Sequence, residues 1–428
     1  MNKKTAISDT SERIRSKGLS VAKKESLIPL SLLLFYLALE YGRPQDLLPF
    51  LRVLHLPAIT IILLALFNII SGKIQLKDKQ TILFLSLLAL MVIHGPIAVN
   101  NYWTLMIFLS MVMNFIVLLS LIHHVDDPEK YARLVKLWLM IHLFLAIVGI
   151  LKKGTGVGGF LEDENDYCMT INMIIPFSFF LSMYSSGKNR MYYLLLTCLF
   201  LFVIMLTGSR GGFVGLIATS AYCWLRSKKK VLTLFIVSIL VIFAVSVAPQ
   251  TYWNRIHSIT EEGTTAGTGE ERVYTWKIGW NMFLDNPIIG VGQGNFPYVF
   301  QKYEFKVTGS DEPFYGRSRA GRAAHSIYFT LLPELGILGT FIFIGMITYT
   351  FKDLKAIKVR LSHQKNPAIN PVSNRYLPYA LALEGALISY LVSGAFISTL
   401  YYPNLWILMG FIISLKKIVI PDSKPVAA

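Results

Sequence analysis

The sequence predicts an all-α polytopic membrane protein of one domain, with about twelve transmembrane helices and one long outer loop that contains an amphipathic helix. Of the 428 residues, 54% are hydrophobic and only 15% are charged, whereas soluble domains carry about 25% charged residues. Apolar segments recur from Leu27 to Ile420, and no polar stretch between them is long enough for a separate domain. Both observations argue against a soluble enzyme.

The predicted spans form two groups, separated by the outer loop. We expect a cytoplasmic tail at 1–26, helices 1–9 within 27–248, a periplasmic loop at 249–324, helices 10–12 within 325–415 and a cytoplasmic tail at 416–428. The first apolar segment ends in Glu40, Tyr41, Gly42 and Arg43 without a small-residue cleavage site, so we expect it to remain as an anchor. The segments lie at 27–41, 56–71, 81–99, 102–122, 135–151, 167–184, 191–208, 211–225, 231–248, 325–350, 376–398 and 401–415.

The lysines and arginines predict the orientation of these spans. With both termini in the cytoplasm, 28 of the 41 lysines and arginines fall on the cytoplasmic side, as the positive-inside rule requires. The net charge of +16 is therefore mostly a consequence of topology and does not indicate nucleic-acid binding. Eight of the 13 basic residues on the other side are arginines, and planar two-pronged binding of an anion is a good reason for them to be there.

The outer loop contains one clear helical pattern, in the segment RVYTWKIGWNMFLDNP. Val273, Trp276, Trp280, Phe283 and Leu284 recur at spacings of three and four residues. This periodicity predicts an amphipathic helix that ends before the proline at 287. Its tryptophans suit a helix lying at the membrane surface.

Three places on the outer side could carry chemistry. In TGSRGGFVG, Arg210 lies in a tight turn whose glycines allow close backbone approach, so exposed N–H groups beside an arginine could form an anion pocket. The alternative is an ordinary hairpin whose arginine reaches lipid headgroups. Arg272 is the first residue of the predicted amphipathic helix, where the free N–H groups of the helix start would add to its attraction for a phosphate. Its alternative is a surface salt bridge with Glu270 or Glu271.

His325 begins a predicted span beside Arg317, Arg319 and Arg322. Cationic neighbours lower the pKa of a histidine, which would keep its imidazole neutral and able to accept a proton. The alternative is a histidine at a helix end that bonds to a carbonyl group.

Three other features rank lower. The segment GVGQGNFP resembles a nucleotide-binding loop in letters only, because no strand precedes it, and we expect a shaped loop over the site that includes Gln293 and Asn295. The acidic segment FLEDENDY could bind a divalent ion, although solvation and helix capping explain it more simply. Glu384 falls inside a span and must therefore have a partner.

The order of these motifs resembles the O-antigen ligase and O-antigen polymerase superfamily of bacterial envelope glycan enzymes. The resemblance rests on GSRGG, then NPIIGVGQGNFP, then AHSIYFTLLPELGILG, and covers about 207 to 345. The fragments YGRPQDLLPFL and FLEDENDYCMTINMIIP also look like the branch of O-glycosylation ligases found with exosortase systems. The resemblance implies a multi-pass protein of the bacterial inner membrane with a periplasmic active site.

The resemblance also implies the reaction and the roles of the residues. An undecaprenyl pyrophosphate-linked glycan would be transferred to a hydroxyl of a glycan, lipid or protein acceptor, without a metal or other cofactor. Arg210 and Arg272 would hold the donor pyrophosphate, His325 would act on the acceptor, and Arg319, Arg322, Gln293 and Asn295 could support them. Two alternatives remain open at this point: a polymerase of lipid-linked repeat units, and a transporter or flippase of lipid-linked glycans.

Overall fold

The computed structural model describes residues 27–72, 76–231, 267–308, 321–363 and 371–421, and every regular element in these ranges is helical. Short 3-10 turns lie at Pro49–Leu54, Gly159–Leu161 and Gly394–Phe396. The helices, in chain order, are α1 Ile28–Gly42, α2 Pro44–Leu47, α3 Leu56–Ile70, α4 Lys79–His94, α5 Asn101–His124, α6 Pro128–Leu151, α7 Glu164–Tyr184, α8 Gly187–Thr207, α9 Arg210–Arg226, α10 Gly267–Asp285, α11 Phe296–Thr308, α12 Ile327–His363, α13 Pro371–Ser393 and α14 Pro403–Val419.

The all-α prediction is confirmed for the described residues, and eleven of the twelve predicted segments are helices there. The twelfth, at 231–248, lies outside the described residues except for its first residue. Among the described helices, seven are long and apolar enough to cross a membrane, and α1 and α4 are shorter apolar helices. The count of twelve crossings, the periplasmic loop and the domain bounds stay predictions.

Polar side chains at the helix starts determine where several of these helices begin. Asn100, Asp127, Asp163 and Ser209 each accept hydrogen bonds from backbone N–H groups of the first turn that follows. Such caps satisfy N–H groups that have no partner inside the helix. Capping therefore places the starts of α5, α6, α7 and α9, and two of these starts, at Asp163 and Ser209, belong to the candidate site.

Helices α7 and α14 lie at the centre of the bundle. α7 packs against α13, α8 and α9, while α14 packs against α5 and α12. Almost every residue of α14 is buried, including Trp406. α7 carries Pro176, whose ring lies against Gly385 of α13, so the two helices approach closely.

One end of the bundle gathers carboxylates and lysines or arginines from distant parts of the sequence. Glu384 accepts hydrogen bonds from Tyr222, Arg226 and Lys358, which confirms that this carboxylate within a span has partners. Asp353 accepts from Gln80 and forms an ion pair with Lys416 at 2.8 Å. The positive-inside rule predicts that the segments with these lysines and arginines lie on the cytoplasmic side. In the structure the same segments lie together at one end of the bundle.

Helices α10 and α11 form a small apolar cluster of their own. Tyr274, Ile278 and Met282 of α10 pack against Phe296 and Phe300 of α11. The end of α10 at Asp285 agrees with the predicted stop before the proline at 287. Helix α11 was not predicted.

The apolar residues whose spacing predicted α10 lie mostly outside this cluster. Trp280 is 47% exposed and Leu284 is 54% exposed, whereas Ile278 and Met282 are fully buried. Helix α10 therefore has two apolar faces, one packed on α11 and one that carries the exposed Trp280 and Leu284.

Helix α12 is interrupted part of the way along its length. Gly336 has a φ of 61° and a ψ of −163°, which only glycine adopts readily. The segment between α10 and α11 fills the interruption: Val291 and Gly292 donate to the carbonyl oxygens of Pro333 and Glu334, and Ile337 donates to that of Pro287. Because this segment replaces the missing helical bonds, the backbone groups at the break keep partners.

Candidate active site

The turn between α8 and α9 presents Arg210 at the start of a helix. Gly208 adopts a left-handed conformation with a φ of 61°, and the Ser209 side chain accepts a hydrogen bond of 2.9 Å from the Gly212 N–H. A Cβ atom on Gly212 would lie 2.2 Å from the Cys168 Sγ, so glycine is required here for close packing on α7. Arg210 is the first residue of α9, where helical N–H groups and the helix dipole favour an anion.

A hydrogen-bond network fixes this turn to the start of α7. The Ser209 hydroxyl donates to the Asn165 side-chain oxygen at 2.7 Å, and the Asn172 amide donates to the Gly212 carbonyl at 2.8 Å. Asp163 caps the same end of α7. The turn that carries Arg210 is therefore held beside the acidic segment FLEDENDY.

The 3-10 turn Gly394–Phe396 brings the three predicted site residues together. The Phe396 side chain lies against Gly211, because a Cβ atom on that glycine would be 2.8 Å from the Phe396 Cβ. The Arg272 guanidinium carbon lies 6.0 Å from the centre of the Phe396 ring. Ile327, two residues after His325, packs against Gly394. The segments carrying Arg210, Arg272 and His325 thus meet around one short turn.

His325 is held in an uncommon backbone conformation just before α12. Its φ is 49°, in the left-handed region, and such residues persist only where the surrounding structure fixes them. The Trp276 indole donates to the Ala324 carbonyl at 3.0 Å, and the Tyr328 hydroxyl donates to the Leu391 carbonyl at 2.9 Å. Contacts on both sides therefore fix the backbone that presents the imidazole.

The charges of the site act on one another. Desolvation lowers the pKa of Arg272, and the positive charge of Arg210 lowers it further, whereas Asp163 raises it. An arginine stays charged at neutral pH in any case. Two guanidinium groups that disfavour each other are both stabilised when an anion binds between them.

The pKa of His325 is lowered by the same surroundings. Desolvation is the largest cause, Arg272 and Arg322 add to it, and Asp163 and Glu271 oppose it. The effect of Arg322 was predicted from the sequence, whereas the effects of desolvation and of Arg272 were not. Arg317, like Arg319, lies outside the described residues. A lowered pKa leaves the imidazole neutral at neutral pH, which a proton acceptor requires.

The predicted supporting residues separate into different places. Arg322 forms an ion pair with Glu271 at 2.8 Å beside the site, whereas the alternative interpretation of the sequence paired Arg272 with Glu270 or Glu271. Arg319 lies outside the described residues.

Gln293 and Asn295 are fully buried at the α12 interruption. The Gln293 amide donates to the Met91 and Thr104 carbonyls, and its oxygen contacts the His94 Nδ1 at 2.6 Å. The Asn295 amide donates to the Thr104 hydroxyl at 2.7 Å. These contacts are with protein groups, so the geometry favours anchoring of the loop over contact with a substrate.

The acidic segment has a capping role and an electrostatic one. Asp163 accepts from the N–H groups of Asn165 and Asp166, which confirms the capping interpretation. Within the described residues, no group of three or more histidine, cysteine, aspartate or glutamate side chains could hold a metal ion. The charge of Asp163 acts on both Arg272 and His325, an effect that was not predicted from the acidic segment.

Two fragments far apart in the sequence meet near this end of the bundle. A Cβ atom on Gly159 would lie 2.3 Å from the Arg43 guanidinium carbon, and the Tyr41 and Phe160 rings are 5.5 Å apart. YGRPQDLLPFL and FLEDENDYCMTINMIIP are therefore neighbours.

Phe396 was not predicted as a site residue, because an apolar residue near the end of a predicted span gives no signal of its own.

Comparison with known proteins agrees with the order of the motifs. Residues 195–344 match the family described as O-Antigen ligase. The matched range contains Arg210, Arg272 and His325 and extends through the interruption of α12. A search of curated proteins gives no match. The match across residues 195–344 is to the O-antigen ligase family, and it confirms the resemblance seen in the motifs of that part of the chain.

Proposed function

We propose that this protein transfers a glycan from undecaprenyl pyrophosphate to an acceptor hydroxyl at the periplasmic face of the bacterial inner membrane. The observation that carries the proposal is that the segments carrying Arg210, Arg272 and His325 meet around the Gly394–Phe396 turn. The family match supports a ligase or polymerase type of glycosyl transfer. The donor, the side of the membrane and the mechanism are our inference.

The two arginines would hold the pyrophosphate of the donor. Arginine forms paired hydrogen bonds with phosphate oxygens, and the first turn of α9 offers further N–H donors beside Arg210. Arg272 is half-buried against Phe396, so its charge acts in a less polar environment than water and interacts more strongly with an anion. Binding of the diphosphate would also remove the repulsion between the two guanidinium groups.

His325 would act as the general base. The acceptor oxygen forms a bond to the anomeric carbon, the bond from that carbon to the pyrophosphate oxygen breaks, and His325 takes the hydroxyl proton. Undecaprenyl pyrophosphate leaves with the electron pair, and attack from the opposite face inverts the anomeric centre. Stabilisation of the leaving group by Arg210 and Arg272 replaces protonation by an acid, so one base suffices.

Single substitutions test the proposal in protein purified into lipid nanodiscs. R210A, R272A and H325A should each lower the release of undecaprenyl pyrophosphate at least 100-fold, since a general base alone contributes about 100- to 10,000-fold. R272K should stay well below wild type, because lysine keeps the charge and loses the paired geometry. R133A removes an exposed arginine from another part of the protein and should leave transfer unchanged. Unchanged transfer by the three site variants would falsify the proposal.

The product distinguishes the alternatives that the sequence left open. A single glycan block on the acceptor indicates a ligase, and a ladder of growing chains indicates a polymerase. Release of undecaprenyl pyrophosphate in detergent, where no second compartment exists, excludes a protein that only transports lipid-linked glycans. The same assay therefore tests the reaction and assigns the acceptor class.

A further inference from the structure

A groove of about 630 Å³ lies between α10, the end of α11 and the start of α12. Its wall consists of aromatic and aliphatic side chains, and lysine and asparagine side chains lie among them. We call it the tryptophan groove and define it by Val273, Trp276, Trp280, Asn281, Val307 and Phe329.

The groove continues directly from the candidate active site. Trp276 lines the groove, and the indole of this residue donates to the Ala324 carbonyl next to His325. Trp276 also stacks on Phe329 with ring centres 5.0 Å apart and planes 3° apart. A molecule in the groove would therefore lie against side chains that also fix the backbone of His325.

The spacing along α10 connects the groove to the phosphate site. Arg272, Trp276 and Trp280 are four residues apart, so successive members are neighbours on the helix surface. Eight residues of helix span about 12 Å, which is about the length of two to three sugar rings. The row of Arg272, Trp276 and Trp280 thus begins at the arginine that we propose binds the pyrophosphate, and the two tryptophans lie progressively farther from it.

The chemistry of the groove fits a carbohydrate. The faces of indole rings carry partial negative charge and suit the C–H faces of sugar rings, whereas hydroxyl groups need polar partners at the edge. Trp280 is 47% exposed, and Lys277 is exposed beside it. The Asn281 amide donates to the Lys277 carbonyl, so its side-chain oxygen is oriented as an acceptor.

We propose that the tryptophan groove is a saccharide subsite that holds sugar rings of the substrate while the reacting bond lies between Arg272 and His325. This inference rests on the proposed function and adds the class of group that α10 binds. The saccharide belongs to the donor or to the acceptor, and separate titrations of the two substrates assign it.

Kinetics of three tryptophan variants test the subsite. W280A should raise the KM for the donor or for the acceptor about fivefold to tenfold, with kcat within about twofold. W280F keeps an aromatic face and should restore most of the affinity. W224A removes a comparably exposed tryptophan at the other end of α9 and should change neither KM. Equal KM values for W280A and wild type would overturn the subsite and leave the proposed function standing, provided that H325A still abolishes transfer.

Fluorescence tests binding without turnover. The probe is the reducing oligosaccharide that mild acid releases from the lipid-linked donor, and the signal of Trp280 is the difference between wild type and W280F. The probe should change this signal in a saturable way. Brominated phosphatidylglycerol in the nanodisc, which quenches tryptophans that touch lipid, should leave it unchanged. Quenching by the lipid with no response to the oligosaccharide would show that the groove holds lipid, and would overturn the proposal.

Discussion

The guanidinium of Arg272 lies above the ring of Phe396, with 6.0 Å between its central carbon and the ring centre. The same phenylalanine packs against Gly211, next to Arg210. One apolar side chain therefore positions two cations from segments that are distant in the sequence. The contact favours a fixed guanidinium, because an aromatic face attracts a cation that is withdrawn from water.

Removal of this ring should weaken donor binding. A cation–π contact contributes about 0.5 to 2 kcal/mol, so F396A should raise the donor KM about 2- to 30-fold. F396Y keeps the ring and should remain close to wild type. F341A, which removes a phenylalanine that is 65% exposed, is the matched control for steady-state transfer measured against donor concentration. A donor KM for F396A equal to that of F341A would contradict the role of the ring.

The pH dependence of kcat should follow the charges around His325. The lowered pKa of His325 predicts activity that persists below about pH 6.5, the usual histidine value, and declines as the imidazole becomes protonated. Removal of a positive neighbour in R322A raises that pKa and should move the acid limb to higher pH. Removal of the negative charge in D163N lowers it and should move the limb to lower pH.

D163N is a clean probe because asparagine caps helices as well as aspartate does. The Asp163 oxygen that accepts from Asn165 and Asp166 has an equivalent in the asparagine side chain. Acid limbs of the two variants that shift in the same direction would exclude His325 as the titrating base. The measurement is transfer rate at saturating substrate between about pH 4.5 and 8.

The Glu384 cluster should contribute to stability and leave catalysis unaffected. E384L leaves Lys358 and Arg226 without this partner and should lower the free energy of unfolding by about 1 to 3 kcal/mol. The double variant E384L/K358M removes both charges of the closest pair and should lose less than E384L alone. Thermal unfolding in detergent measures both, and a double variant less stable than E384L would contradict the prediction.

Glu334 should hold the loop that fills the α12 interruption. Its carboxylate accepts from the N–H groups of Gly294 and Phe296 and from the Tyr401 hydroxyl. E334L leaves these buried donors without acceptors, at about 1 to 3 kcal/mol for each. We expect a large loss of thermal stability for E334L and a smaller one for E334Q, which retains one accepting oxygen.

An exposed carboxylate supplies the comparison for this position. Glu129 has an 80% exposed side chain, so E129L removes a carboxylate of the same size without creating a buried unpaired group. E129L should unfold at the wild-type temperature. If E334L also unfolds at that temperature, the three hydrogen bonds do not hold the loop.

Periodicity and charge predicted most of the helices and the three central site residues. Long apolar segments leave few alternatives to helix in a membrane, and arginines on the side where topology disfavours them stand out in the sequence. Arg210 and Arg272 were recognisable for that reason. The partner of Glu384 was predictable because a carboxylate within a span requires one.

Other features depend on contacts that a linear pattern does not encode. Phe396 is one apolar residue among many, and its role follows only from the packing of α9, α10 and α13 around it. Helix α11 was missed because lysines and a glutamate alternate with aromatic residues in a short segment. Gln293 and Asn295 suggested a ligand loop, but their partners are a histidine and a threonine on α4 and α5.

The interruption at Gly336 imposes an order on the biosynthesis of this protein. Ile337 and Leu338 donate to carbonyl groups of Pro287 and Ile288, which leave the ribosome earlier. Both halves of α12 can reach their native arrangement only after that earlier segment has taken its place beside them. Until then the N–H groups of Ile337 and Leu338 lack these acceptors, so the second half of α12 is completed last.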